Sequence, residues 1–324
     1  MIPIIDDIRV NTSPYPNLAL TIGSFDGVHL GHRAILDAVV QRERAINGTS
    51  AVLTLRPHPR EFFSPAHAPS LLTHDAKKYA LFESAGIGAV LVLRFNTEAA
   101  ALEPERFVEE IIVGRCNAKA VVVGHDFRFG HNARGDFDLL RTLAPQFNLA
   151  VEQVPPLLMD GERVSSTLIR ERLLFGDIEK AESFLGRPYS LVGTVVTGRR
   201  IGAKLGFPTA NIQPHHSAVP AQGVYVCEAI VNGTRHLAAV NIGIAPTIRN
   251  EDPAIEAYLL DFDGDLYGRE MELVFRKRLR DEMRFPTVEA LIAQIDLDVI
   301  ATRAFFTGGR ASPRAGLRSP DTAT

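Results

Sequence analysis

Short apolar runs alternate with amphipathic stretches through the first 186 residues. The runs are unbroken, which is typical of parallel strands covered on both faces; they lie at 18–22, 51–55, 89–93 and 120–123. Between them, apolar residues recur at helical spacing, at 34–45, around 77–83 and after the acidic, proline-containing turn 103–105. This order predicts an α/β domain with a parallel sheet and helices on its faces.

The pattern changes after Gly186-Arg187-Pro188. Short strand candidates follow at 190–197, 224–231, 237–240, 254–262 and 271–275. Asn232-Gly233 between two of them is a strong hairpin signal. Short strands with glycine turns predict a small barrel or sandwich, with a helix after it at 288–300. We therefore predict domains at 1–186 and 187–307, and a disordered tail at 308–324, which is rich in Gly, Ser, Pro and Arg.

Charge and cysteine content narrow the class of protein. The 324 residues include 35 basic and 38 acidic side chains, a net charge of −3. This balance argues against binding to nucleic acid or a membrane surface by bulk charge. Cys116 and Cys227 are too few for a disulfide framework or a cysteine zinc site. Asp6 and Asp7 stand where a signal peptide would be basic, and no apolar run nears the length of a membrane span. We expect a cytoplasmic protein.

The segment GSFDGVHLGH joins the first strand to the first helix. Its candidate phosphate-binding residues are Gly23, Phe25, Asp26, Gly27, His29, Gly31 and His32. Such a loop lies at the carboxyl edge of the sheet, where ligands bind, and a helix N-terminus attracts phosphate. The two histidines can donate hydrogen bonds to phosphate oxygens. A buried turn with two ordinary histidines stays an alternative, and so does a zinc pair, although no third ligand stands at a telling spacing.

His29-Leu30-Gly31-His32 resembles the HxGH signature of the nucleotidyltransferase superfamily. The resemblance implies a Rossmann-like fold and transfer of a nucleotidyl group with loss of pyrophosphate, the histidines stabilising charge on the α-phosphate. Ser166, Thr167 and Arg170 resemble the second phosphate-binding motif of that superfamily, STxxR. On residue type alone, the serine and threonine would simply cap a helix.

A third segment, 123–130, follows a buried strand and holds His125, Asp126 and Arg128. Together with the segment LRPHPR at 55–60, it resembles the prokaryotic bifunctional riboflavin kinase/FMN adenylyltransferase family, also called FAD synthetases. The resemblance implies that Asp126, Arg128 and Arg163 contact flavin or nucleotide. Residue 125 is a histidine where the family more often has an aromatic or acidic residue.

A glycine-rich basic loop opens the second domain. Its residues are Gly198, Arg199, Arg200, Gly202, Lys204, Gly206, Pro208, Thr209 and Asn211. Such a loop can wrap phosphate with backbone amides, although it lacks the P-loop pattern; a mobile surface loop is the alternative. In an extended chain, Thr209 and Asn211 face the same side, and their oxygens suit a magnesium ion that carries ATP.

This loop resembles the riboflavin kinase module, as do the segments 223–225, 241–243 with Pro246-Thr247, and 255–262. The resemblance implies a six-stranded Greek-key β-barrel that phosphorylates the ribityl 5′-hydroxyl of riboflavin. It also implies ATP contacts from the loop glycines, Lys204 and Pro208, a magnesium site at Thr209 and Asn211, and Glu256 as general base. Arg280 and Phe285 would contact flavin. Without the resemblance, a lone strand glutamate would be read as solvent-facing.

The sequence thus predicts a bifunctional enzyme that makes FMN from riboflavin and ATP, and then FAD and pyrophosphate from FMN and ATP. Both steps would use Mg²⁺. The expected partners are riboflavin, FMN and ATP, with no nucleic acid and no membrane; transient self-association stays open. Two alternatives are a single-function transferase with a degenerate barrel and a flavin-sensing protein without turnover. The intact motifs of both halves favour the bifunctional enzyme over either.

Overall fold

The chain folds into two compact units in a computed structural model that describes residues 1–198, 201–244 and 253–308. The first unit comprises Met1–Leu191 together with His216–Val219, and the second comprises Val192–His215 and the chain from Pro220 onward. Several predictions concern residues outside the described ranges: Arg199 and Arg200 of the basic loop, the Pro246-Thr247 pair, and the tail beyond residue 308.

A six-stranded parallel sheet forms the centre of the first unit. Its strands are β1 (Ile4–Ile5), β2 (Leu18–Ile22), β3 (Thr49–Arg56), β4 (Ala89–Arg94), β5 (Ala118–Gly124) and β6 (Ala150–Val154). They lie in the order β1-β4-β3-β2-β5-β6, with parallel pairing throughout. The predicted α/β fold is confirmed. The direction of strand addition reverses between β2 and β5, and ligands bind at the carboxyl ends of strands beside such a switch point.

Helices cover both faces of this sheet. They are α1 (Leu30–Ile46), α2 (Pro59–Phe63), α3 (Asp75–Ser84), α4 (Thr97–Ala100), α5 (Pro104–Arg106) with a π-helical continuation at Phe107–Arg115, α6 (Phe137–Leu143), α7 (Ser166–Leu174) and α8 (Ile178–Leu185). A short hairpin, β7 (Leu158–Met159) and β8 (Glu162–Arg163), precedes α7. On β3, Leu53 packs into the core beside the π-helical segment, whereas Val52 packs into the core beside α1. Because both faces are buried, the inner strands β2 to β5 contain continuous apolar runs.

The second unit is built on a closed six-stranded barrel. Its strands are β9 (Ser190–Val196), β10 (Ala210–Pro214), β11 (Gly223–Val231), β12 (Thr234–Ile244), β13 (Pro253–Leu259) and β14 (Glu270–Arg280), in the order β10-β13-β12-β11-β14-β9. Asn232 and Gly233 form the predicted hairpin turn, with φ of 50° and 79°. Helix α9 (Ile201–Lys204) precedes β10, and α10 (Val288–Phe306) follows the barrel. The described antiparallel pairs confirm the predicted barrel with its C-terminal helix.

Side chains alternate between the two faces of the barrel wall. On β13, Ile255, Ala257 and Leu259 are buried, whereas Glu256 and Tyr258 between them are only half-buried. Helix α10 packs against β11 and β12. Glu256 and Tyr258 therefore lie on the outer face of the barrel wall. None of the described helices combines the length and apolar character that crossing a membrane requires.

Candidate active sites

A cavity of about 380 Å³ opens at the carboxyl edge of the sheet, at the switch point between β2 and β5. The loops after β2, β3, β5 and β6 and the start of α7 line it. Of the residues predicted for this site, the cavity brings together Asp26, His29, Gly31, His32, Asp126, Arg163, Ser166, Thr167 and Arg170. Segments up to 144 residues apart in sequence meet here, as the Asp26–Arg170 pair shows.

The two histidines form a stacked pair at the start of α1. The Nδ1 atom of His29 accepts a hydrogen bond from the backbone N–H of His32 at 3.2 Å, and the two rings stack with centroids 3.6 Å apart. An accepting Nδ1 carries no proton, so the ring proton of neutral His29 sits on Nε2, which is a donor. His29 lines the cavity although it is only 5% exposed. His29 therefore caps α1 through Nδ1 and offers its Nε2–H as a donor.

Both histidines are neutral near pH 7. Burial lowers the pKa of His29 to about 4, and the positive charge of Arg187 adds to the effect. The pKa of His32 is also well below its ordinary value, chiefly through burial and then through its neighbour His29. A neutral pair stabilises developing negative charge by donating hydrogen bonds rather than by its own charge.

Asp26 is held by contacts within the protein. Its buried carboxylate accepts hydrogen bonds from the N–H groups of Leu72 and Thr73, each at 3.0 Å, and pairs with the guanidinium of Arg170. Arg170 also donates to the carbonyl of Ser70 at 2.8 Å. The carboxylate thus holds Arg170 at the cavity wall and anchors residues 70–73, and a phosphate would meet the arginine rather than Asp26.

The start of α7 lies beside the histidine loop. Ser165 is the helix cap, because its hydroxyl accepts from the N–H of Leu168 at 3.2 Å. Ser166 instead donates to the carbonyl of Asp26 at 2.8 Å, which joins the two segments that the sequence predicts to bind phosphate. Capping therefore explains Ser165 but neither Ser166 nor Thr167, both of which line the cavity in the first helical turn.

The loop after β5 forms the rim. The Nε2 atom of His125 lies 2.9 Å from the Nη1 atom of Arg163, and Arg163 lies 3.7 Å from the exposed carboxylate of Asp126. Arg128 is not among the lining residues; its guanidinium donates to the carbonyl of Phe127 at 3.2 Å. His58, for which the sequence predicted no role, lines the cavity from the loop after β3.

Three further residues predicted for this site stand behind the cavity wall. Phe25 is buried and packs its ring 5.0 Å from that of His32. Gly23 lies against the Phe25 ring, where a Cβ would come within 3.1 Å. Gly27 has φ of 89°, and a Cβ there would lie 2.9 Å from Leu72. None of the three is among the residues that line the cavity, and their packing shapes the loop that carries the histidines.

A second cavity, of about 350 Å³, lies between the outer face of the barrel and α10. Of the predicted residues, it brings together Gly202, Thr209, Glu256, Arg280 and Phe285. Lys204, Gly206 and Pro208 are not among its lining residues.

A row of polar residues crosses three strands beside this cavity. Glu256 on β13 lies opposite Asn211 on β10 and opposite Asn241 on β12. Residues directly opposite in antiparallel strands project from the same face, so all three side chains share the outer face. Gly198 belongs to the same group, because a Cβ there would lie 2.2 Å from the Asn211 side-chain nitrogen. Asn241 was not predicted as a site residue, although a polar residue within an apolar strand is a signal that could have identified it.

Arg280 is fixed by α10. Its guanidinium makes two parallel hydrogen bonds to the buried carboxylate of Asp298, with Nε–Oδ1 at 3.0 Å and Nη2–Oδ2 at 2.7 Å. Gln294 donates to the same carboxylate at 3.0 Å. The guanidinium also lies 5.9 Å from the centroid of the Phe285 ring. The arginine and the aromatic ring therefore reach the cavity as one preorganised group.

The chemistry of Thr209 and Asn211 fits magnesium. Both side chains offer uncharged oxygen donors, which suit a hard cation that takes its remaining ligands from phosphate and water. Among the described residues, no group of three or more His, Cys, Asp or Glu is arranged to hold a metal ion.

Each unit matches a different family of nucleotide-dependent transferases. The FAD synthetase family model matches residues 12–168, and the riboflavin kinase model matches residues 185–306. The bifunctional riboflavin kinase/FMN adenylyltransferase of Pseudomonas fluorescens is 41% identical over 285 residues, covering 88% of this chain and 91% of its own length. That of Escherichia coli (strain K12) is 37% identical over 299 residues, covering 92% and 96%. The chain belongs to the family of bifunctional riboflavin kinase/FMN adenylyltransferases.

A solved structure agrees on the fold. The crystal structure titled as a macrolide-efflux protein from Streptococcus pneumoniae superposes with a TM-score of 0.84 at 27% identity, over 93% of this chain and 99% of that one. Macrolide efflux is named for that protein and is not carried over to this chain. An α/β unit and a barrel therefore follow one another along that chain too.

Proposed function

We propose that the chain performs the two reactions of its family at the two cavities, phosphorylating riboflavin to FMN in the second unit and adenylylating FMN to FAD in the first. The observation that carries this proposal is that each cavity holds the motif its reaction needs. His29 and His32 line the first cavity, and Thr209 and Glu256 line the second. We assign adenylylation to residues 1–186 and the kinase to residues 187–307.

In the first cavity, a phosphate oxygen of FMN attacks the α-phosphorus of ATP. The new P–O bond forms as the bond from the α-phosphorus to the bridging oxygen breaks, and pyrophosphate leaves. The Nε2–H of His29 donates to an α-phosphate oxygen as negative charge grows there. The first backbone N–H groups of α7, beside Ser166 and Thr167, face the β- and γ-phosphates, because they have no partner within the helix. Arg170, held by Asp26, neutralises the leaving group.

At the rim of this cavity, Arg163, Asp126 and His125 form a polar cluster that we assign to flavin or nucleotide. Arg128 lies next to this cluster in sequence, and we keep it as an outer contact. Gly23, Phe25, Gly27 and Gly31 give the loop its shape, and Gly31 lets the nucleotide approach the backbone.

In the second cavity, Glu256 removes the proton from the ribityl 5′-hydroxyl of riboflavin as that oxygen attacks the γ-phosphorus of ATP. The bond between the γ-phosphorus and its bridging oxygen breaks, and ADP leaves. Thr209 and Asn211 would hold the magnesium ion of Mg-ATP, which offsets phosphate charge when bound. The glycine-rich loop covers the phosphates through Gly198, Gly202, Lys204, Gly206 and Pro208. The isoalloxazine ring contacts Arg280 and Phe285.

We place both activities in the cytoplasm, with riboflavin, FMN, ATP and Mg²⁺ as the molecules bound. The two cysteines are both free and buried, as suits a reducing compartment. The net charge of −3 supports small-molecule partners over nucleic acid.

Two substitutions test the separation of the sites. In His29→Asn, the amide oxygen can still cap α1, but the Nε2–H donor is lost, so adenylylation should fall about 10²- to 10³-fold. Glu256→Gln keeps the shape of the side chain and removes the base, so the kinase step should fall about 10²- to 10⁴-fold. FMN formation from riboflavin and FAD formation from supplied FMN are measured separately by chromatography. Loss of both activities in either folded variant would refute two independent sites.

A further inference from the structure

Arg187 lies directly behind the loop that carries the histidine pair. Its Nη2 atom donates to the carbonyl of Gly27 at 2.5 Å and lies 3.3 Å from the hydroxyl of Thr73. Its Nη1 atom donates to the carbonyl of Val28 at 3.1 Å and to that of Leu185 at 3.3 Å. One guanidinium therefore joins the end of α8 to the loop before α1, and these four partners lie within the first unit.

The backbone that Arg187 holds is strained. Phe25, Gly27 and Val28 all have positive φ, of 50°, 89° and 40°. Glycine adopts this region freely, but Val28 is β-branched, and such a conformation is strained and persists only where contacts hold it. His29 is the next residue, so the direction of its ring depends on this backbone.

The charge of Arg187 also acts on the rings. Burial is the largest cause of the low His29 pKa and the charge of Arg187 is the second; Arg170 acts in the same direction, and Asp126 opposes them. The His32 ring stacks on that of His29, and His58 lines the same cavity. A protonated Nδ1 could no longer accept the N–H of His32. The cation behind the loop thus favours the ring state that caps α1.

We propose that Arg187 is a positioning residue for adenylylation: its guanidinium holds the backbone that presents His29 and His32 to the first cavity. The proposal rests on the adenylyltransferase activity proposed above. The match to the riboflavin kinase model begins at residue 185 and the FAD synthetase match ends at 168, so by sequence Arg187 falls in the kinase module. The contacts described above, however, lie in the unit to which we assign adenylylation.

The test compares Arg187→Gln, which removes the charge, with Arg187→Lys, which keeps the charge but loses the forked geometry. Arg141→Gln is the matched control, because Arg141 is exposed, lies in the same unit and pairs only with exposed Asp138 among the described contacts. The full chain is assayed for FAD formation and, as an internal control, for FMN formation. The His29 ring is followed by NMR during a pH titration.

We expect Arg187→Gln to lower kcat for adenylylation at least about tenfold, with KM for FMN and ATP changed less than about threefold, because positioning acts on the transition state. FMN formation should be unchanged. The pKa of His29 should rise in Arg187→Gln yet stay below its ordinary value, since burial persists. Arg187→Lys should lose part of kcat with the His29 pKa near that of the wild type.

Two results would overturn the proposal. One is wild-type kcat for adenylylation in Arg187→Gln. The other is a loss of kcat without any change in the His29 pKa, which would indicate general damage to the unit. If the wild-type chain made no FAD at all, the proposed function would fail instead, and the NMR titration would still decide whether Arg187 acts on the histidine pair.

Discussion

Asp26→Asn should weaken the first unit at one defined place. The side chains of Asp26 and Arg170 are 7% and 19% exposed, so solvent screens their pairing little. The carboxylate also accepts from the N–H groups of Leu72 and Thr73. Removing one charge from such a buried pair costs about 3–5 kcal/mol, and because asparagine still offers one oxygen to the amides, we expect about 3 kcal/mol.

Hydrogen exchange measures this loss directly. At 1.4 kcal/mol per factor of ten, about 3 kcal/mol corresponds to exchange about 100-fold faster at the amides of Leu72 and Thr73. Because the chain has no tryptophan, overall folding is checked by circular dichroism rather than by tryptophan fluorescence. FAD formation should fall as well, since Arg170 loses the group that holds it at the cavity.

Asp136→Asn is the matched control. Asp136 caps α6 by accepting from the N–H of Leu139 at 3.0 Å, and it lies in the same unit. Asparagine caps helices as well as aspartate does, so exchange at Leu72 and Thr73 should not change. If exchange at these two amides were equally slow in Asp26→Asn and in the wild type, the carboxylate would not be holding residues 70–73.

Three further predictions concern the second cavity and the metal. Asp298→Asn should raise KM for riboflavin about tenfold and leave KM for ATP unchanged in steady-state kinase assays, because Arg280 loses its bidentate partner; an equal rise in both constants would contradict this. Gly198→Ala should lower FMN formation about tenfold but not FAD formation from supplied FMN, because the new Cβ would displace the Asn211 side chain; unaltered kinase activity would refute the contact. Removing divalent cations with EDTA should abolish both activities, and added Mg²⁺ should restore them; turnover that survives chelation would contradict the magnesium requirement.

Burial explains which strands the sequence predicted. The strands β2 to β5 lie inside the sheet and have the continuous apolar sequences from which they were expected. β6 is an edge strand, and its sequence AVEQV alternates with polar residues. β1 has only two residues, and β10 has a single buried residue, Ile212. None of these three strands gives a signal that stands out from a loop.

The residues of the candidate sites also differ in whether the sequence alone could predict them. Local motifs mark His29 and Ser166, because a strand-to-helix loop and a helix start are visible along the chain. Glu256 depended on the resemblance, since nothing local separates it from a solvent-facing residue. Asp298 could not be predicted, because its role arises only where α10 meets the end of β14. The same holds for Arg187, whose partners Gly27 and Val28 lie 160 and 159 residues away in sequence.

The placement of the second cavity on the outside of a closed barrel has an evolutionary consequence. Successive positions of one strand, such as Ile255 and Glu256, are under separate constraints, because the first packs into the core and the second lines the cavity. Core residues can change among similar volumes while the residues of the outer face stay constant, and the outer face can acquire a new specificity without repacking the interior. The variability of the sequence among homologues should therefore alternate from one residue to the next along β12 and β13.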